Sequence, residues 1–506
     1  MLNQLFVRLM VRLVLVLTVL KAASAMADPV GFGIHLDRRE DKRVVVYSTL
    51  TYSLFGVWVI PLPGLPVTFE ADHGELTPTE DLYALTGDPT HKGIYRSILT
   101  PPERDEFDDV FSGEIHLVSK VFGYTTSKTA LIVDVIDPRL GQPEKLGGLI
   151  NTRGMEDSPE VSPDGRFVIV GSYSPIDFGY CAVNGHDYQH PACNSNFYDF
   201  SGVERPGLFG ADRILSHTEI DHRIPSLNYD PKTSPFPIAT PPVASFGFRL
   251  QPDGSYAEPF VMGIDADGYS WQQTYGFTFD WTFGDFAAIF FSWNELGEQP
   301  ETNNDIYGAL VRLGQEVKIG EYQDSKLVNF AAVKANIDPV PVCGQLDCEF
   351  GNPQITPTRI WFDNERQSDD LFFADRIGAG FGPPKRVPVS QVDRGETMPH
   401  FFGNTLYYMC NTGLCASDLS EGADPALLES WSPERQIMAP LTRLPWTINA
   451  GRAGRVVAVS EPSLATVREG QQEQLYLYFG YITQTQYGTG EKDFGADWAV
   501  GRVRIR

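Results

Sequence analysis

The sequence predicts an all-β protein in which a β-sandwich is followed by a propeller of five blades, with a sixth allowed. Turn-forming and aromatic residues are abundant, with 47 Gly, 37 Pro, 32 Phe and 21 Tyr among 506 residues. This composition is typical of short strands joined by tight turns. Six or seven such strands follow one another over residues 44–137, and strand–turn–strand units of about 45 residues then recur to the end of the chain.

The N-terminus has the pattern of a signal peptide. Arg8 and Arg12 precede the apolar run 13–20, and small residues fill 22–27. We expect cleavage before Asp28 and a periplasmic or secreted protein. An uncleaved anchor is the alternative, but the run is short for a membrane span, and no later stretch is apolar enough to cross a bilayer.

The charge of the chain narrows the range of partners. Removing residues 1–27 takes away three basic residues and no acid, so the formal net charge falls from −25 to −28. That charge disfavours nucleic acid and anionic membranes, and leaves a protein or a polysaccharide as the expected partner. Motifs for phosphate loops, nucleophile elbows, haem and dinucleotides are missing, so we expect no cofactor, and leave open a structural divalent cation such as Ca²⁺.

Residues 28–43 are predicted to form a polar N-terminal segment, and residues 44–137 the sandwich. Within it the run 65–78 contains Pro-Val-Thr-Phe followed by Gly-Glu-Leu-Thr. This run resembles the bacterial immunoglobulin-like domains of invasin type. The resemblance implies a spacer or adhesion module without catalysis.

A linker is expected at 138–147 and the propeller at 148–506. The template unit is a strand that begins near Pro159, a turn at 162–166 and the buried strand 167–170. Weaker copies of the template start at Pro353, Pro399 and Pro462, and a degenerate one without proline at Phe279.

The proline strand and the turn Ser162-Pro163-Asp164-Gly165-Arg166 resemble the TolB-type repeat, also called the WD40-like or PD40 repeat. The resemblance covers about residues 145–506 and implies a propeller fold. We expect residues 147–150 to close the ring by pairing with the C-terminal blade, because closure removes a free sheet edge.

In a propeller the first strands of the blades surround one channel, so residues far apart in sequence meet there. We predict a ligand-binding set in this funnel, namely Glu156, Asp157, Asn352, His400 and Glu461. A pair of carboxylates there could act as acid and base in sugar hydrolysis, which makes Asp157, Glu396, His400 and Glu461 catalytic candidates. The alternative is that these residues cap strands and hold channel water or an ion.

A second candidate site is the loop 181–193. His186, Tyr188 and His190 could act as base and acid of a polysaccharide lyase, and the two histidines are weak candidates for metal ligands. The alternative is an exposed loop closed by a disulfide.

Six cysteines form three pairs that are close in sequence: Cys181 with Cys193, Cys343 with Cys348, and Cys410 with Cys415. In an exported chain this pattern predicts three disulfides that each close a loop. A zinc site built from the last four cysteines is the alternative.

Two functions follow from these patterns. The first is a binding or scaffold protein that acts through the propeller funnel and rim. The second is a carbohydrate-active enzyme, either a hydrolase that uses funnel carboxylates or a lyase that uses His186, Tyr188 or His190.

Titration of thiols tests the predicted disulfides. The denatured, unreduced exported protein is expected to show no reactive thiol, and reduction should then release all six. Six reactive thiols before reduction would contradict the prediction.

Overall fold

The computed structural model divides the chain into two compact units. The described part of Met1–Glu103 with Ile115–Ala130 forms the first, and that of Arg104–Glu114 with Leu131–Arg506 forms the second. The structure describes residues 30–39, 41, 43–54, 58–102, 113–147, 150–151, 155–174, 244–251, 254, 256–262, 274–284, 286–294, 304–313, 333–334, 350–364, 370–378, 380–390, 395–411, 413–440, 455–469, 472–486 and 494–506.

The first unit is a two-sheet β-sandwich. One sheet has the order β1-β2-β7-β5, with β3 paired to β2 and β6 to β7, and the other has the order β4-β8-β9. The strands are β1 (Val30–Arg38), β2 (Val44–Leu54), β3 (Trp58–Pro61), β4 (Thr68–Ala71), β5 (Glu75–Leu76), β6 (Glu80–Asp81), β7 (Ile94–Thr100), β8 (Glu114–Val121) and β9 (Tyr124–Leu131).

Alternating burial along β7 and β8 places every second side chain in the sandwich core. Leu50, Val67, Tyr95 and Val121 form the centre of that core. The Tyr95 hydroxyl donates to the Leu62 carbonyl and accepts from the Leu65 amide, so its one polar group is satisfied inside the core. The short helix α1 (Leu82–Thr86) and a 3-10 turn (Pro89–His91) connect β6 to β7.

The polar segment expected at 28–43 is in fact largely a strand. Residues 30–38 pair antiparallel with β2, from Val30↔Tyr52 to Arg38↔Val44. Ile34 is buried in this strand, whereas many of its neighbours are half-exposed. Val30, Phe32, Ile34 and Leu36 alternate with small or polar residues, which is the pattern of a strand, and the charged residues that follow at 37–43 obscured it in the overall composition.

In the described part of the chain, the second unit contains five antiparallel blades of four or five strands, and the outer strand of one blade is split in two. Blade 1 has β12 (Met155–Val161), β13 (Phe167–Ser174), β14 (Ala244–Leu250) and β15 (Tyr256–Met262). Blade 2 has β16 (Thr274–Phe283), β17 (Phe286–Asn294), β18 (Asn304–Arg312) and β19 (Val333–Lys334). Blade 3 has β20 (Phe350–Ile355), β21 (Arg359–Asn364), β22 (Asp370–Ile377), β23 (Gly380–Phe381) and β24 (Lys385–Arg386).

Blades 4 and 5 each take an outer strand from the start of the unit. Blade 4 has β25 (Glu396–Phe402), β26 (Thr405–Cys410), β27 (Gly413–Asp418) and β28 (Arg435–Ala439), edged by β10 (Asp134–Val135). Blade 5 has β29 (Arg455–Glu469), β30 (Gln472–Gln486) and β31 (Phe494–Ile505), edged by β11 (Glu144–Lys145). The predicted all-β fold with five blades is confirmed.

The template unit has the predicted conformation. Gly165 has φ 68° and its amide donates to the Ser162 carbonyl at 2.7 Å, which closes the turn. The Asp164 carboxylate stabilises the turn by accepting hydrogen bonds from the Ser162 hydroxyl and the Arg166 guanidinium. The strand that follows, over residues 167–170, is fully buried.

Ring closure occurs a few residues earlier than expected. The residues that pair with β31 are Glu144 and Lys145, not 147–150, of which Gly148 and Leu149 lie outside the described residues. The segment 138–147 therefore packs into blade 5 instead of acting as a free linker, and buried leucines anchor it. Inside the closure, Arg502 donates to Glu144 at 2.8 Å.

One of the three predicted disulfides lies in the described part of the chain, and it is confirmed. Cys410 and Cys415 are bonded across the β26–β27 turn with a Cα–Cα distance of 5.8 Å. This bond rules out the alternative zinc site, because that site needed both of these cysteines as free thiolates.

The other two predicted disulfides are not tested by the structure. Cys181 and Cys193 lie outside the described residues, and so do Cys343 and Cys348. Their pairing therefore stays a prediction from the spacing in the sequence. In the described part of the chain, no helix has the length and apolar character needed to span a membrane.

Substituting Arg502 tests whether its ion pair with Glu144 stabilises the pairing of β11 with β31. Both side chains are nearly fully buried, so Arg502→Ala leaves an uncompensated carboxylate and is expected to cost about 3–5 kcal/mol in the free energy of unfolding. Urea denaturation measures the cost. Loss of the exposed Lys385–Asp375 pair through Lys385→Ala serves as the control and should cost at most about 1 kcal/mol. Equal costs for the two variants would show that the buried pair does not hold the closure.

Candidate functional site in the central channel

The innermost strand of every blade has one residue with a left-handed backbone at the same place, with φ between 43° and 57°. In blades 2 to 5 the register with the next strand shifts by one residue around it, which is a β-bulge. In blade 1 the pairing of β12 with β13 is interrupted at the equivalent residue. We call these five the kink residues, and they are Ser158 in β12, Gly276 in β16, Asn352 in β20, Met398 in β25 and Glu461 in β29.

Proline explains why the kink recurs. In four blades the residue after the kink residue is proline, which has no N–H and so leaves no donor unpaired where the ladder is interrupted. Blade 2 uses Gly276 followed by Phe277 instead. A Cβ at Gly276 would lie 2.6 Å from the Asn352 Cα, so only glycine fits against the neighbouring blade.

The residue two positions after each kink residue joins its blade to the next. Its side chain accepts a hydrogen bond from a backbone N–H of the neighbouring inner strand, and the five bonds close a complete circuit. The amide of Ile355 donates to Thr278 at 3.2 Å, Phe401 to Gln354 at 3.1 Å, Leu464 to His400 at 3.1 Å, Val161 to Ser463 at 3.1 Å, and Phe279 to the Glu160 carboxyl group. We call the five accepting side chains the channel ring.

Two members of the channel ring are titratable and buried. Because the Leu464 amide donates to His400 Nε2, that nitrogen must keep its lone pair, and burial lowers the pKa of His400 to about 3. Burial raises the pKa of Glu160 to about 8, although Ser463, Thr278 and the Phe279 amide donate to it. His400 Nδ1 lies 3.9 Å from Glu160 Oε2, which is too long for a direct hydrogen bond, and both groups are neutral at pH 7.

A second acidic pair lies at the junction of blades 5 and 1. The Glu461 carboxyl group accepts from the Ser158 amide and from its hydroxyl, the latter at 2.6 Å, and is hydrogen-bonded to Asp157. Burial, together with the neighbouring charge of Asp157, raises the pKa of Glu461 well above its usual value. The contact favours the protonated form of Glu461, because a second ionised carboxyl group would be repelled at this distance.

Asp363 has a similar role between blades 3 and 4. This buried side chain accepts from the Met398 amide at 2.7 Å and from Asn352 Nδ2 at 2.9 Å. Two of the kink residues, Ser158 and Met398, are therefore held by a carboxyl group that binds their N–H, which offsets the cost of the uncommon backbone.

These layers line an open cavity with a volume of about 40 Å³, inside a wider space of about 340 Å³ that includes open solvent. Its described lining has acceptors from Glu160, Glu461 and Asn352, and an apolar wall. The apolar wall consists of Pro159, Phe277, Pro353, Met398, Pro399 and Pro462. None of the described lining residues is Lys or Arg, so the cavity is acidic.

Most of the residues predicted for the funnel lie at this site. Asn352, His400 and Glu461 line the cavity, and Asp157 contacts Glu461. Glu156 and Glu396 are fully buried and are not among the described lining residues. Both stand two positions before a kink residue, and the left-handed backbone there interrupts the regular alternation of side chains along the strand.

Glu396 instead lies 3.2 Å from the Ser390 hydroxyl, which is also 3.0 Å from Asp370, so the single hydroxyl proton of Ser390 is shared between the two carboxyl groups. The expectation that Glu396 faces the funnel is therefore wrong. The degenerate copy of blade 2 was also placed three residues late, at Phe279 instead of Gly276, since it lacks the proline that marks the others.

Sequence reasoning did not identify Glu160, Thr278, Gln354 or Ser463 as site residues. A signal for three of them was present, because each directly follows a proline in the repeated strand, as His400 does. The loop candidates His186, Tyr188 and His190 lie outside the described residues.

Comparisons with known proteins show similarity at the level of fold only. No family model and no curated protein matches the chain. An N-acetylgalactosamine deacetylase from F. plautii is 8% identical with a TM-score of 0.31, over 53% of this chain and 82% of that one. The Trypanosoma rangeli sialidase is also 8% identical with a TM-score of 0.31, over 72% and 56%.

The β-propeller domain of the Trilobed protease from Pyrococcus furiosus is 9% identical with a TM-score of 0.21, over 80% of this chain and 97% of that one. At these identities and TM-scores, function has to be argued from the chemistry of the site.

The raised pKa of Glu160 predicts a pH-dependent stability. In the unfolded chain Glu160 loses its proton near pH 4.5, but in the fold only near pH 8. Between these values the unfolded state binds fewer protons, so the free energy of unfolding falls as pH rises, by on the order of a few kcal/mol in all.

Urea denaturation of the natural protein and Glu160→Gln, from pH 5 to pH 9, measures this loss. Gln354 shows that an amide can fill a channel-ring position, so the variant keeps the acceptor and removes the titration. The stability of the natural protein relative to Glu160→Gln should decline with pH. Parallel curves for the two proteins would contradict the prediction.

Proposed function

We propose that this protein is an exported β-propeller binding protein whose channel cavity holds a positively charged group of a protein or glycan partner. The observation that carries the proposal is the lining of the cavity. Its described residues include two acidic side chains and no basic one, and a third carboxyl group, that of Asp157, touches Glu461. Carboxyl groups that can ionise against a bound cation favour such a ligand electrostatically.

The shape of the lining favours a primary ammonium group on an alkyl stem. Four prolines, Phe277 and Met398 supply apolar surface for methylene groups, while Glu461 and Glu160 supply acceptors for the N–H donors at the tip. A few placed polar groups in an apolar wall are the usual composition of a selective small-group site.

Two kinds of partner carry such a group. A protein presents it as a lysine side chain or an N-terminus, and a glycan presents it as an unacetylated amino sugar. The negative charge of the whole chain would speed the approach of either one if it is cationic.

The channel is suited to binding because it is rigid. The channel ring connects all five blades, so the walls of the cavity are fixed before a ligand arrives and little ordering is needed on binding. The resemblances to TolB-type repeats and to invasin-type modules support the same class of function. Export, the immunoglobulin-like assignment, the domain boundaries and a structural divalent cation remain parts of this proposal.

The alternative is a glycoside hydrolase. That mechanism needs two carboxyl groups about 5–9.5 Å apart with the sugar between them. Asp157 and Glu461 are hydrogen-bonded to one another, so this pair leaves no room for a glycosidic bond. The Asp157–Glu461 pair therefore does not fit the geometry of a hydrolase.

Calorimetric titration with n-butylammonium tests the proposal, with n-butanol as the neutral probe of similar shape. The ammonium ion should bind and n-butanol should bind at least about tenfold more weakly, the equivalent of about 1.4 kcal/mol. Glu461→Gln removes a carboxyl group that can become the counter-ion of the bound ammonium, and should weaken binding of the ammonium ion by a similar factor. Equal affinity for the two probes would contradict the proposal.

Glu396→Gln is the matched control, because it makes the same change in a buried glutamate that is not among the described lining residues. This variant should bind n-butylammonium like the natural protein. A lysine peptide and a chitosan oligosaccharide then distinguish a protein partner from a glycan. Competition by Ca²⁺ with no binding of either amine would indicate a metal site instead.

A further inference from the structure

Glu160 differs from the other members of the channel ring in the charge that it can carry. Thr278, Gln354 and Ser463 are neutral at any pH, and the amide of Leu464 keeps His400 neutral by occupying Nε2. Glu160 has the same structural role as these four, accepting one N–H from the next blade, yet it alone in the ring can gain a negative charge without breaking its bond.

The surroundings of Glu160 are built from several blades. Blade 5 supplies the Ser463 hydroxyl, and blade 2 supplies the Thr278 hydroxyl and the Phe279 amide. Blade 4 places His400 Nδ1 at 3.9 Å, with its proton directed to this side because Nε2 is an acceptor. Every one of these groups is a hydrogen-bond donor. If Glu160 ionised, donors would therefore already surround its carboxylate oxygens.

What an ionised Glu160 lacks among the described residues is a compensating positive charge. Three strands contribute groups that face Glu160. β25 contributes neutral His400, and β16 contributes only hydroxyl and amide donors. β29 contributes Glu461, which has Asp157 of β12 beside it. From β13, β30 and β31 no described charged side chain lines the cavity. In the ligand-free channel a proton therefore takes the place of a counter-charge.

We propose that the channel exchanges protons for its ligand: the ligand-free cavity stores protons on Glu160 and Glu461, and binding of an ammonium group expels at least one of them to solvent. The inference rests on the proposed function, since it concerns the regulation of the same cavity. It makes binding proton-linked, so affinity rises with pH until the carboxyl groups are ionised in the ligand-free protein.

The step balances without any further reactant. The O–H bond of one channel carboxyl group breaks, its proton passes to water or buffer, and the carboxylate accepts N–H hydrogen bonds from the ammonium group. The charge inside the cavity is unchanged, which avoids the cost of placing an uncompensated charge in a buried site.

Calorimetry in buffers of different ionisation enthalpy tests the exchange. At pH 7, n-butylammonium binding to the natural protein should release about one proton, seen as a dependence of the observed heat on the buffer. Glu160→Gln should bind with a smaller release, and Glu396→Gln should match the natural protein. Binding without any proton release overturns the inference and leaves the proposed function standing, whereas failure of both amine and peptide to bind overturns both.

A ligand-free measurement gives a second test. Difference infrared spectra between pH 6 and pH 9 should show the carbonyl stretch of a protonated carboxyl group at pH 6 that is lost at pH 9. Glu160→Gln should remove that part of the difference signal while leaving the fold intact by circular dichroism. An unchanged signal in Glu160→Gln would show that Glu160 carries no proton in the ligand-free channel.

Discussion

The propeller depends on five hydrogen bonds that link each inner strand to the next around the central channel. Each runs from a backbone N–H to a side chain two positions after a kink residue, and together they connect all five blades. Without them five buried N–H groups would lose their partners, at about 1–3 kcal/mol each. The left-handed kink directs these side chains toward the neighbouring blade. The hydrogen bonds between blades therefore depend on the backbone conformation of the kink residues.

The same arrangement produces the acidic cavity. Left-handed residues at Ser158 and Met398 need their N–H groups bound, and the groups that bind them are the carboxyls of Glu461 and Asp363. Of these two acids, Glu461 lines the cavity. Burial raises its pKa, which links the structural role of this carboxyl group to a chemical property of the site.

The sequence predicts much of this fold. The Ser-Pro-Asp-Gly-Arg turn and the recurrence of X-Pro each correspond to an element of the observed blades. Asn352, His400 and Glu461 could be placed at the channel because each lies next to a proline of the repeat.

The rest depends on contacts that are not encoded locally. The kink interrupts the alternation of side chains, so the direction of Glu396 could not be read from a regular strand. β11 is a polar edge strand of two residues, and pairing with the distant strand β31 is what defines it. The hydrogen-bond partners of Glu160 come from blades 2 and 5, and Ser463 is about 300 residues away in sequence. No local sequence pattern predicts these partners.

The most direct test of the central claim is a crystal structure of the protein with n-butylammonium at pH 7. The account predicts the amine nitrogen inside the channel, within hydrogen-bonding distance of the carboxyl oxygens of Glu461 or Glu160, with the channel ring intact around it. An amine bound elsewhere, with the channel filled by water or by a side chain of the protein, would contradict it.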